Sequence, residues 1–309
     1  MGIPERIEAA LERGLSFCEM PSSCPPGLSA AMRHAVFPGG ARLRPSLVLS
    51  VAAACARDGD GDEGEIAETA QADVAAAIEL LHCASLVHDD LPCFDDAAVR
   101  RGRPSVHAAF GQELAVLTGD GLIVLAFDIL AQADVPASLL RSMLRTVARG
   151  VGAQGGLVAG QAWESERTVG LRTYHKAKTA ALFQAGARLG AELSGAPVGP
   201  WAEFGARLGE AYQVADDLRD TLDDEANLGK PAGQDAAHDR PNACSVLGIN
   251  GALDRLRALL DQAVEALPTC PHPERVVAWV EGFGARLYPR AVTAEEPSAN
   301  HNMVADLRA

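Results

Sequence analysis

Helical spacing of apolar residues runs through almost the whole of this 309-residue chain, and it limits the possible folds more than any other feature. Alanine and leucine dominate, apolar residues recur every three or four positions between Gly/Pro breaks, and alternating β-branched or aromatic residues are scarce. The pattern therefore predicts an all-α protein. The predicted helices span 4–18, 28–37, 45–57, 65–88, 105–132, 137–151, 171–193, 201–223, 241–267 and 273–287.

The loops between the predicted helices are short, apart from the segment 227–241, which is rich in glycine, proline and charge. We therefore expect a single domain over residues 1–309, with a loosely held tail at 290–309 that lacks apolar periodicity. The apolar content of 48% is enough for a large core. No stretch of about 18 uninterrupted apolar residues is present, which predicts a chain without a transmembrane segment.

The formal net charge of −14 argues against a nucleic-acid partner, because a phosphate backbone requires a basic protein surface. The same sign disfavours anionic membrane surfaces. The seven cysteines form no C-x-x-C pair, and their odd number without a secretory signal predicts reduced thiols and a cytoplasmic protein. The acids are unevenly spread, and many of them gather around Asp89 and Asp216.

The first acidic cluster is the segment DDLPCFDD at 89–96, which follows the predicted helix 65–88. A helix turns by roughly 100° per residue, so Asp89 and Asp95 would point to different sides of an unbroken helix. Pro92 ends or kinks the helix between them. The chain can then bring both carboxylates toward one point.

The second acidic cluster lies in the predicted helix 201–223, where Asp216 and Asp220 share one face, about 6 Å apart along the axis. Their like charges repel, and a hard cation would neutralise them. Carboxylates favour magnesium or manganese over zinc, and magnesium completes its shell with water and substrate phosphate, so each cluster predicts a nearby diphosphate. The alternative for either cluster alone is a solvated acidic surface, whereas an EF-hand calcium pattern is absent.

Basic residues accompany both acidic clusters. They are Arg42 and Arg44 after a Gly-Gly turn, Arg100, Arg101 and Arg103 after the first cluster, Lys178 at the start of an apolar helix, and Lys230 in the segment 227–241. Guanidinium and ammonium groups in these positions suit phosphate oxygens, although each one singly is typical of a solvated surface. The alternation of acids with cations therefore favours a phosphate-binding site.

Together these residues resemble the trans-prenyl diphosphate synthase family, in particular the geranylgeranyl diphosphate synthases of bacterial carotenoid pathways. The resemblance covers nearly the whole chain and rests on GGARLRP at 39–45, HCASLVHDDLPCFDD at 82–96, RRG at 100–102, TGD at 118–120, GQ at 160–161, KT at 178–179, YQVADDLRD at 212–220 and GK at 229–230. It implies a large antiparallel helical bundle around a central cavity, usually a homodimer. It also implies head-to-tail condensation of isopentenyl diphosphate with dimethylallyl, geranyl or farnesyl diphosphate.

The resemblance also assigns roles to particular residues. The implied metal ligands are Asp89, Asp95, Asp216 and Asp220, which would hold three Mg²⁺ ions per active site, with Mn²⁺ able to substitute. The implied catalytic residues are Lys178, Arg100 and Lys230. The implied substrate-binding residues are Gly40, Arg42, Arg44, His82, Arg100, Arg101, Lys178, Thr179, Gln213, Lys230 and Arg240, of which Arg44, His82 and Arg101 would hold isopentenyl diphosphate. Ala41 departs from the family by replacing a common lysine beside that site.

By the same resemblance, product length is set one helical turn before the first acidic cluster, where Ala84 and Ser85 stand. Small side chains there leave room for a twenty-carbon product, whereas an aromatic side chain limits the product to about farnesyl length. The alternative is that both residues are small only to allow tight helix packing.

Three other functions remain open: a farnesyl diphosphate synthase, a terpene cyclase and a non-catalytic partner subunit. A terpene cyclase usually replaces the second acidic motif with an Asn/Ser/Glu triad, but Asp216, Asp217 and Asp220 are intact. A non-catalytic subunit tends to lose one acidic motif, and both persist here. We therefore favour a geranylgeranyl diphosphate synthase.

Overall fold

The computed structural model describes residues 1–16, 24–57, 66–166, 169–222 and 242–289, and these are almost entirely helical. The all-α prediction is confirmed. The elements are α1 (Ile3–Ser16), α2 (Pro26–Val36), α3 (Leu43–Cys55), α4 (Glu68–Asp89), β1 (Val99–Arg100), β2 (Arg103–Pro104), α5 (Val106–Phe110), α6 (Gln112–Gln132), α7 (Ala137–Val151), α8 (Leu157–Trp163), α9 (Leu171–His175), the π-helical turn (Lys176–Ala180), α10 (Ala181–Leu193), α11 (Val198–Leu222), α12 (Ala243–Glu265) and α13 (Pro273–Leu287).

Helices α3 and α10 lie between two apolar clusters and contribute to both. Val48 of α3 and Leu182 of α10 belong to the first cluster, which also holds residues of α1, α4, α6 and α7. Leu47 of α3 and Phe183 of α10 belong to the second cluster, with residues of α11, α12 and α13. A helix with apolar side chains on two faces must be covered on both. The other helices therefore pack around these two interior helices.

Most predicted helices agree with the structure within a few residues, and the predicted helix 273–287 agrees with α13 at both ends. The predicted helix 105–132 is divided into α5 and α6 by Gly111, whose φ of 89° interrupts a helix. Helix α8 was not predicted, because seven residues are too few to show a period. The β1–β2 hairpin was also missed; its turn uses Arg101 and Gly102, both at positive φ.

Two glycines bring neighbouring helices into direct contact with the π-helical turn. A Cβ on Gly160 of α8 would lie 2.3 Å from the Cα of Lys178, and a Cβ on Gly209 of α11 would lie 2.3 Å from the Cα of Ala180. Carbon atoms in favourable contact are about 3.5–4.0 Å apart, so a side chain at either position would force the elements apart. Helices α8 and α11 therefore pack closely on the turn that carries Lys178 and Thr179.

Two helices are long and apolar enough to cross a membrane when judged by length and composition alone. In α4, 78% of the apolar window is buried inside the protein, as in the core helix of a soluble protein. In α6, only 39% is buried, and Val116, Leu117 and Val124 are exposed. The absence of a transmembrane segment therefore stays a prediction.

Candidate active site

The first acidic cluster forms a tight turn at the end of α4. Asp89 is the last residue of α4, and the chain reverses direction over the following residues. The backbone N–H of Asp95 donates to the carbonyl of Asp89 at 2.9 Å, and the N–H of Asp96 donates to the carbonyl of Leu91 at 3.1 Å. The turn therefore brings the backbones of Asp89 and Asp95 together, as the position of Pro92 predicts.

Asp90 is buried and holds Arg100 in place. Nε of Arg100 lies 3.0 and 3.2 Å from the two carboxylate oxygens of Asp90. Burial raises the pKa of Asp90, and the hydrogen bonds from Arg100 oppose this only in part. Burial lowers the pKa of Arg100, but its bonds to Asp90 outweigh burial and the net pKa is raised. Arg100 is therefore a fixed cation beside the acidic turn.

The second acidic cluster lies near the end of α11. Asp216 is half-buried, and Asp220, one turn further along the helix, is buried. Asp217 is only 1% exposed, and its Oδ2 lies 3.1 Å from Nε2 of His175 and accepts a hydrogen bond from the first N–H of α12 at 2.6 Å. Asp217 therefore joins α9, α11 and α12 and is a structural carboxylate.

Gln213 connects the second acidic cluster to the π-helical turn. Its Nε2 donates to Oδ1 of Asp217 at 2.9 Å, and its Oε1 accepts a hydrogen bond from the hydroxyl of Thr179. Both Gln213 and Thr179 are buried. The amide is bonded at both ends, so it ties α11 to the π-helical turn.

Lys178 is held by Glu164, the residue that follows α8, and lies in the field of the first acidic cluster. Its Nζ binds Oε1 of Glu164, which also accepts a hydrogen bond from the Tyr174 hydroxyl at 2.7 Å. Burial lowers the pKa of Lys178, but the charge of Asp89 and the contacts with Tyr174 and Glu164 raise it more, and the net pKa is well above its ordinary value. The amine therefore remains protonated at every physiological pH.

Gln161 of α8 links this lysine-bearing side of the site to α4. Its Nε2 donates to Oδ1 of Asp89 at 2.9 Å and lies 3.3 Å from the carbonyl oxygen of Ser85. Ser85 and Ala84 are both buried, and Ala84 is part of the first apolar cluster. The position suits either predicted role, a cavity floor or a close helix contact, and the role in product length stays a prediction.

The residues predicted to hold isopentenyl diphosphate lie near one another, since the charges of Arg44 and Arg101 both act on His82. A Cβ on Gly40 would lie 3.1 Å from Nη2 of Arg101, so the Arg101 side chain lies close to this glycine. Arg44 is buried, with its guanidinium 4.7 Å from the ring centre of Phe183. Burial lowers the pKa of His82, and the charges of Arg44 and Arg101 lower it further, well below 6.5. The imidazole is therefore neutral near pH 7.

Arg42 is engaged inside the protein. Its guanidinium lies 2.8 Å from a carboxylate oxygen of Glu79 and 2.8 Å from one of Glu8, and it donates to the carbonyl of Val36 at 2.9 Å. Burial lowers the pKa of Arg42, but the two glutamates outweigh burial and raise it. Most of its donors are used by these partners, so its role in substrate binding stays a prediction.

Lys230 and Arg240 lie outside the described residues, and their assigned roles also stay predictions. The sequence assigned no contact to four side chains that hold the site together: Asp90, Gln161, Glu164 and Asp217. For Asp90 and Asp217, the sequence does contain a physical signal. Neighbouring residues on a helix point about 100° apart, so only one aspartate of each Asp-Asp pair can face a shared ligand, and the other must find an internal partner.

The donor set fits magnesium. Within the part of the chain that the structure describes, no three acidic, histidine or cysteine side chains converge as a ready-made metal cluster. Magnesium requires only one or two carboxylates when water and substrate phosphate complete its shell. The acidic turn supplies Asp89 and Asp95, and α11 supplies Asp216 and Asp220, so each cluster could bind a metal that a diphosphate completes.

An all-helical fold with two carboxylate pairs and nearby cations fits a class of enzymes that act on metal-bound diphosphates. The comparison with known families agrees, because residues 25–274 match the polyprenyl synthetase family model. The chain belongs to the polyprenyl synthetase family and is a prenyltransferase.

Relatives and solved structures give the same family. The chain is 48% identical to a geranylgeranyl diphosphate synthase of Cereibacter sphaeroides, covering 95% of this chain and 99% of the relative. It is 44% identical to a geranylgeranyl diphosphate synthase of Rhodobacter capsulatus, covering 96% and 99%. The fold is similar to a geranyltransferase from Helicobacter pylori complexed with magnesium and isoprenyl diphosphate, with a TM-score of 0.76, 29% identity and coverage of 90% and 96%.

Proposed function

We propose that the chain is a magnesium-dependent geranylgeranyl diphosphate synthase, which joins isopentenyl diphosphate head-to-tail to allylic diphosphates. The observation that carries the proposal is the π-helical turn, which connects the two acidic clusters. Lys178 lies in the field of Asp89, and the neighbouring Thr179 is bonded to Gln213 on the helix of Asp216. Two near full-length relatives that are named geranylgeranyl diphosphate synthases support the same function.

In this proposal the allylic diphosphate lies between the two acidic clusters. Asp89, Asp95, Asp216 and Asp220 hold three Mg²⁺ ions, for which Mn²⁺ can substitute. When bound, these ions supply Lewis-acid stabilisation of the charge that develops on the leaving diphosphate, worth several kcal/mol. The side chain of Lys178 adds a fixed positive charge that needs no reorganisation during the reaction.

The protein's own residues orient the diphosphate and complete the reaction. Arg100, fixed by Asp90, and the protonated Lys178 bind phosphate oxygens and stabilise them as the allylic C–O bond breaks. Thr179 and Gln213 add polar contacts, and the proton lost after condensation goes to the released diphosphate. Apolar walls exclude water from the carbocation. Lys230 and Arg240 complete the cationic set in this proposal.

Isopentenyl diphosphate binds near the start of α3, apart from the allylic diphosphate. Arg44 and Arg101 bind its phosphates, and the close approach of Arg101 to Gly40 leaves space for no side chain at residue 40. Nε of Arg44 has no hydrogen-bond partner among the described residues, which fits an arginine that binds an anion. The neutral His82 serves as a hydrogen-bonding group. Ala41 supplies no charge, so Arg44 and Arg101 carry most of the electrostatic attraction.

A second candidate function is a farnesyl diphosphate synthase. Relatives with that name are 34–35% identical, for example the farnesyl diphosphate synthase of Geobacillus stearothermophilus at 34% over 271 residues. The small side chains of Ala84 and Ser85 favour the longer, twenty-carbon product over this alternative.

The direct test supplies the purified chain with Mg²⁺, isopentenyl diphosphate and one allylic diphosphate at a time. We expect dimethylallyl, geranyl and farnesyl diphosphate all to be extended, with geranylgeranyl diphosphate as the main product by chromatography. Products that stop at fifteen carbons would favour the farnesyl diphosphate synthase. No incorporation of isopentenyl diphosphate would favour a terpene cyclase or a non-catalytic subunit.

We also propose that the chain is a cytoplasmic homodimer that pairs through α6. This helix exposes Val116, Leu117 and Val124 at 42%, 53% and 68% of their surface. The same exposed face carries Asp120 and Asp128, and charged side chains are costly in lipid. A second copy of the chain is therefore a better cover for α6 than a membrane. None of the six described cysteines is in a disulfide, which suits a reducing compartment.

A further inference from the structure

A cavity lies beside α8 and the π-helical turn, and no residue of either acidic cluster lines it. Its volume is about 950 Å³, and it is bounded by α7, α8, the π-helical turn and α10. Small-molecule sites have volumes of roughly 300–1,000 Å³. Its charged lining residues are the cations Arg149, Lys176 and Arg188 and the single acid Glu166. This local excess of positive charge stands in a chain whose net charge is −14.

Among the residues that the structure describes, none of the three cations has a carboxylate partner. Within the described segments, no ion pair involves Arg149, Lys176 or Arg188. Nε of Arg188 is buried and has no hydrogen-bond acceptor there. A buried donor without a partner is unfavourable, and three cations around one cavity also repel each other. An anion in the cavity would satisfy all three.

Much of the remaining lining of the cavity is apolar, and its uncharged polar residues are Thr146, Gln154, Thr173 and Gln184. Trp163 and Val158 of α8 line it together with several alanines, and Val158 is 52% exposed in the absence of any ligand. A simple inorganic anion would leave this wall in contact with water. A ligand with an anionic head and a hydrocarbon tail fits both halves of the cavity.

We propose that this cavity is a second binding site for a prenyl diphosphate. The choice of ligand rests on the function proposed above, because the product of that reaction is an amphiphilic anion that the enzyme itself releases. Arg149, Lys176 and Arg188 bind the diphosphate, and the prenyl chain lies along Trp163 and Val158. Glu166 is the single carboxylate of this lining, so the site binds its ligand without a divalent metal.

The cavity shares two structural elements with the active site. On α8, Trp163 faces the cavity, whereas Gln161 binds Asp89 of the first acidic cluster. On the π-helical turn, Lys176 lines the cavity, whereas Lys178 belongs to the active site. A ligand that moves either element therefore shifts active-site side chains. Product that accumulates in the cavity slows turnover in a manner that is not competitive with the allylic substrate.

The first test measures binding of geranylgeranyl diphosphate to the full chain in excess EDTA, by isothermal titration calorimetry. We expect saturable binding that the double variant Arg149→Gln/Lys176→Gln weakens at least tenfold, because two charge-assisted contacts are lost. Both side chains are exposed, so the fold should be unaffected. The matched control Arg141→Gln/Arg172→Gln removes the same charge outside the cavity. A second control, Asp89→Asn, alters the active site. Each control variant should bind geranylgeranyl diphosphate as the wild type does.

Two outcomes would overturn the proposal: no saturable metal-free binding to the wild type, or equal affinity in wild type and Arg149→Gln/Lys176→Gln. Inorganic diphosphate alone should bind at least tenfold more weakly than geranylgeranyl diphosphate, and equal affinities would refute the apolar part of the site. With Mg²⁺, added product should inhibit the wild type and spare the double variant. If the wild type has no synthase activity, the proposed function fails, whereas the metal-free binding result stands on its own.

Discussion

At the scale of single residues, the site depends on carboxylates that bind protein groups as well as on those that would bind metal. Asp90 fixes Arg100, Glu164 fixes Lys178, and Asp217 fixes Gln213. Each of these acids holds a side chain that the proposed mechanism places on a substrate. Their loss should therefore disturb substrate binding without removing a metal ligand.

Asp90→Asn tests whether a carboxylate that binds a protein side chain, and not a metal, affects substrate binding. The change removes the charge that orients Arg100, and a hydrogen bond to a charged group contributes about 1.5–3 kcal/mol, so we expect kcat/KM for the allylic diphosphate to fall roughly tenfold to a hundredfold. The exposed neighbour Asp96→Asn is the matched control and should retain near wild-type kinetics. Equal losses in both variants, measured by steady-state kinetics, would contradict the role assigned to Asp90.

Ala84→Phe tests the predicted control of product length. The new ring would occupy the space one turn before Asp89, so we expect the main product to shorten from twenty to fifteen carbons in chromatographic analysis. Because Ala84 is buried, overpacking should also lower the free energy of unfolding by about 1–3 kcal/mol. A stable variant that still makes the twenty-carbon product would show that Ala84 is small only for helix packing.

The sequence indicates candidate residues for the site but not the contacts between them. Acidic pairs and nearby cations can be read from a single chain, because residue type and spacing are local properties. The partners of Asp217 cannot be read in this way, since His175 and the start of α12 lie far from it in the chain. The engagement of Arg42 by Glu8 and Glu79 was missed for the same reason.

At the scale of elements, the π-helical turn and the two helices packed on it position the site. Long helices such as α13 were predicted with both ends, because many residues share one period. Short elements were missed. The seven residues of α8 show no period, and the hairpin depends on the positive φ of Arg101, a conformation that residue type does not favour.

Gly160→Ala should disturb the packing of α8 on the π-helical turn. The added Cβ would lie 2.3 Å from the Cα of Lys178, so α8 must move away from the π-helical turn. We expect a loss of about 1–3 kcal/mol in the free energy of unfolding and a fall in kcat of roughly tenfold or more. Gly282→Ala in α13 meets no atom within 4 Å and is the control. Denaturant unfolding that shows equal stability for both variants would contradict the close contact.

At the scale of the whole molecule, the exposed apolar face of α6 is the reason to expect a homodimer. Val124→Glu places a charge on the most exposed apolar side chain of that face, so we expect a shift from dimer to monomer in sedimentation velocity. Val246→Glu on α12 changes a similarly exposed valine, at 62%, and should leave the dimer intact. A monomeric wild type, or a dimer that survives Val124→Glu, would contradict pairing through α6.

In the proposed mechanism, divalent ions turn the two acidic clusters into a diphosphate site. The most direct measurement incubates the purified chain with farnesyl diphosphate and labelled isopentenyl diphosphate across a Mg²⁺ titration, with an EDTA arm. We expect a twenty-carbon product whose rate of formation rises from zero with Mg²⁺, and no product in EDTA. Condensation at an undiminished rate in EDTA would contradict this mechanism.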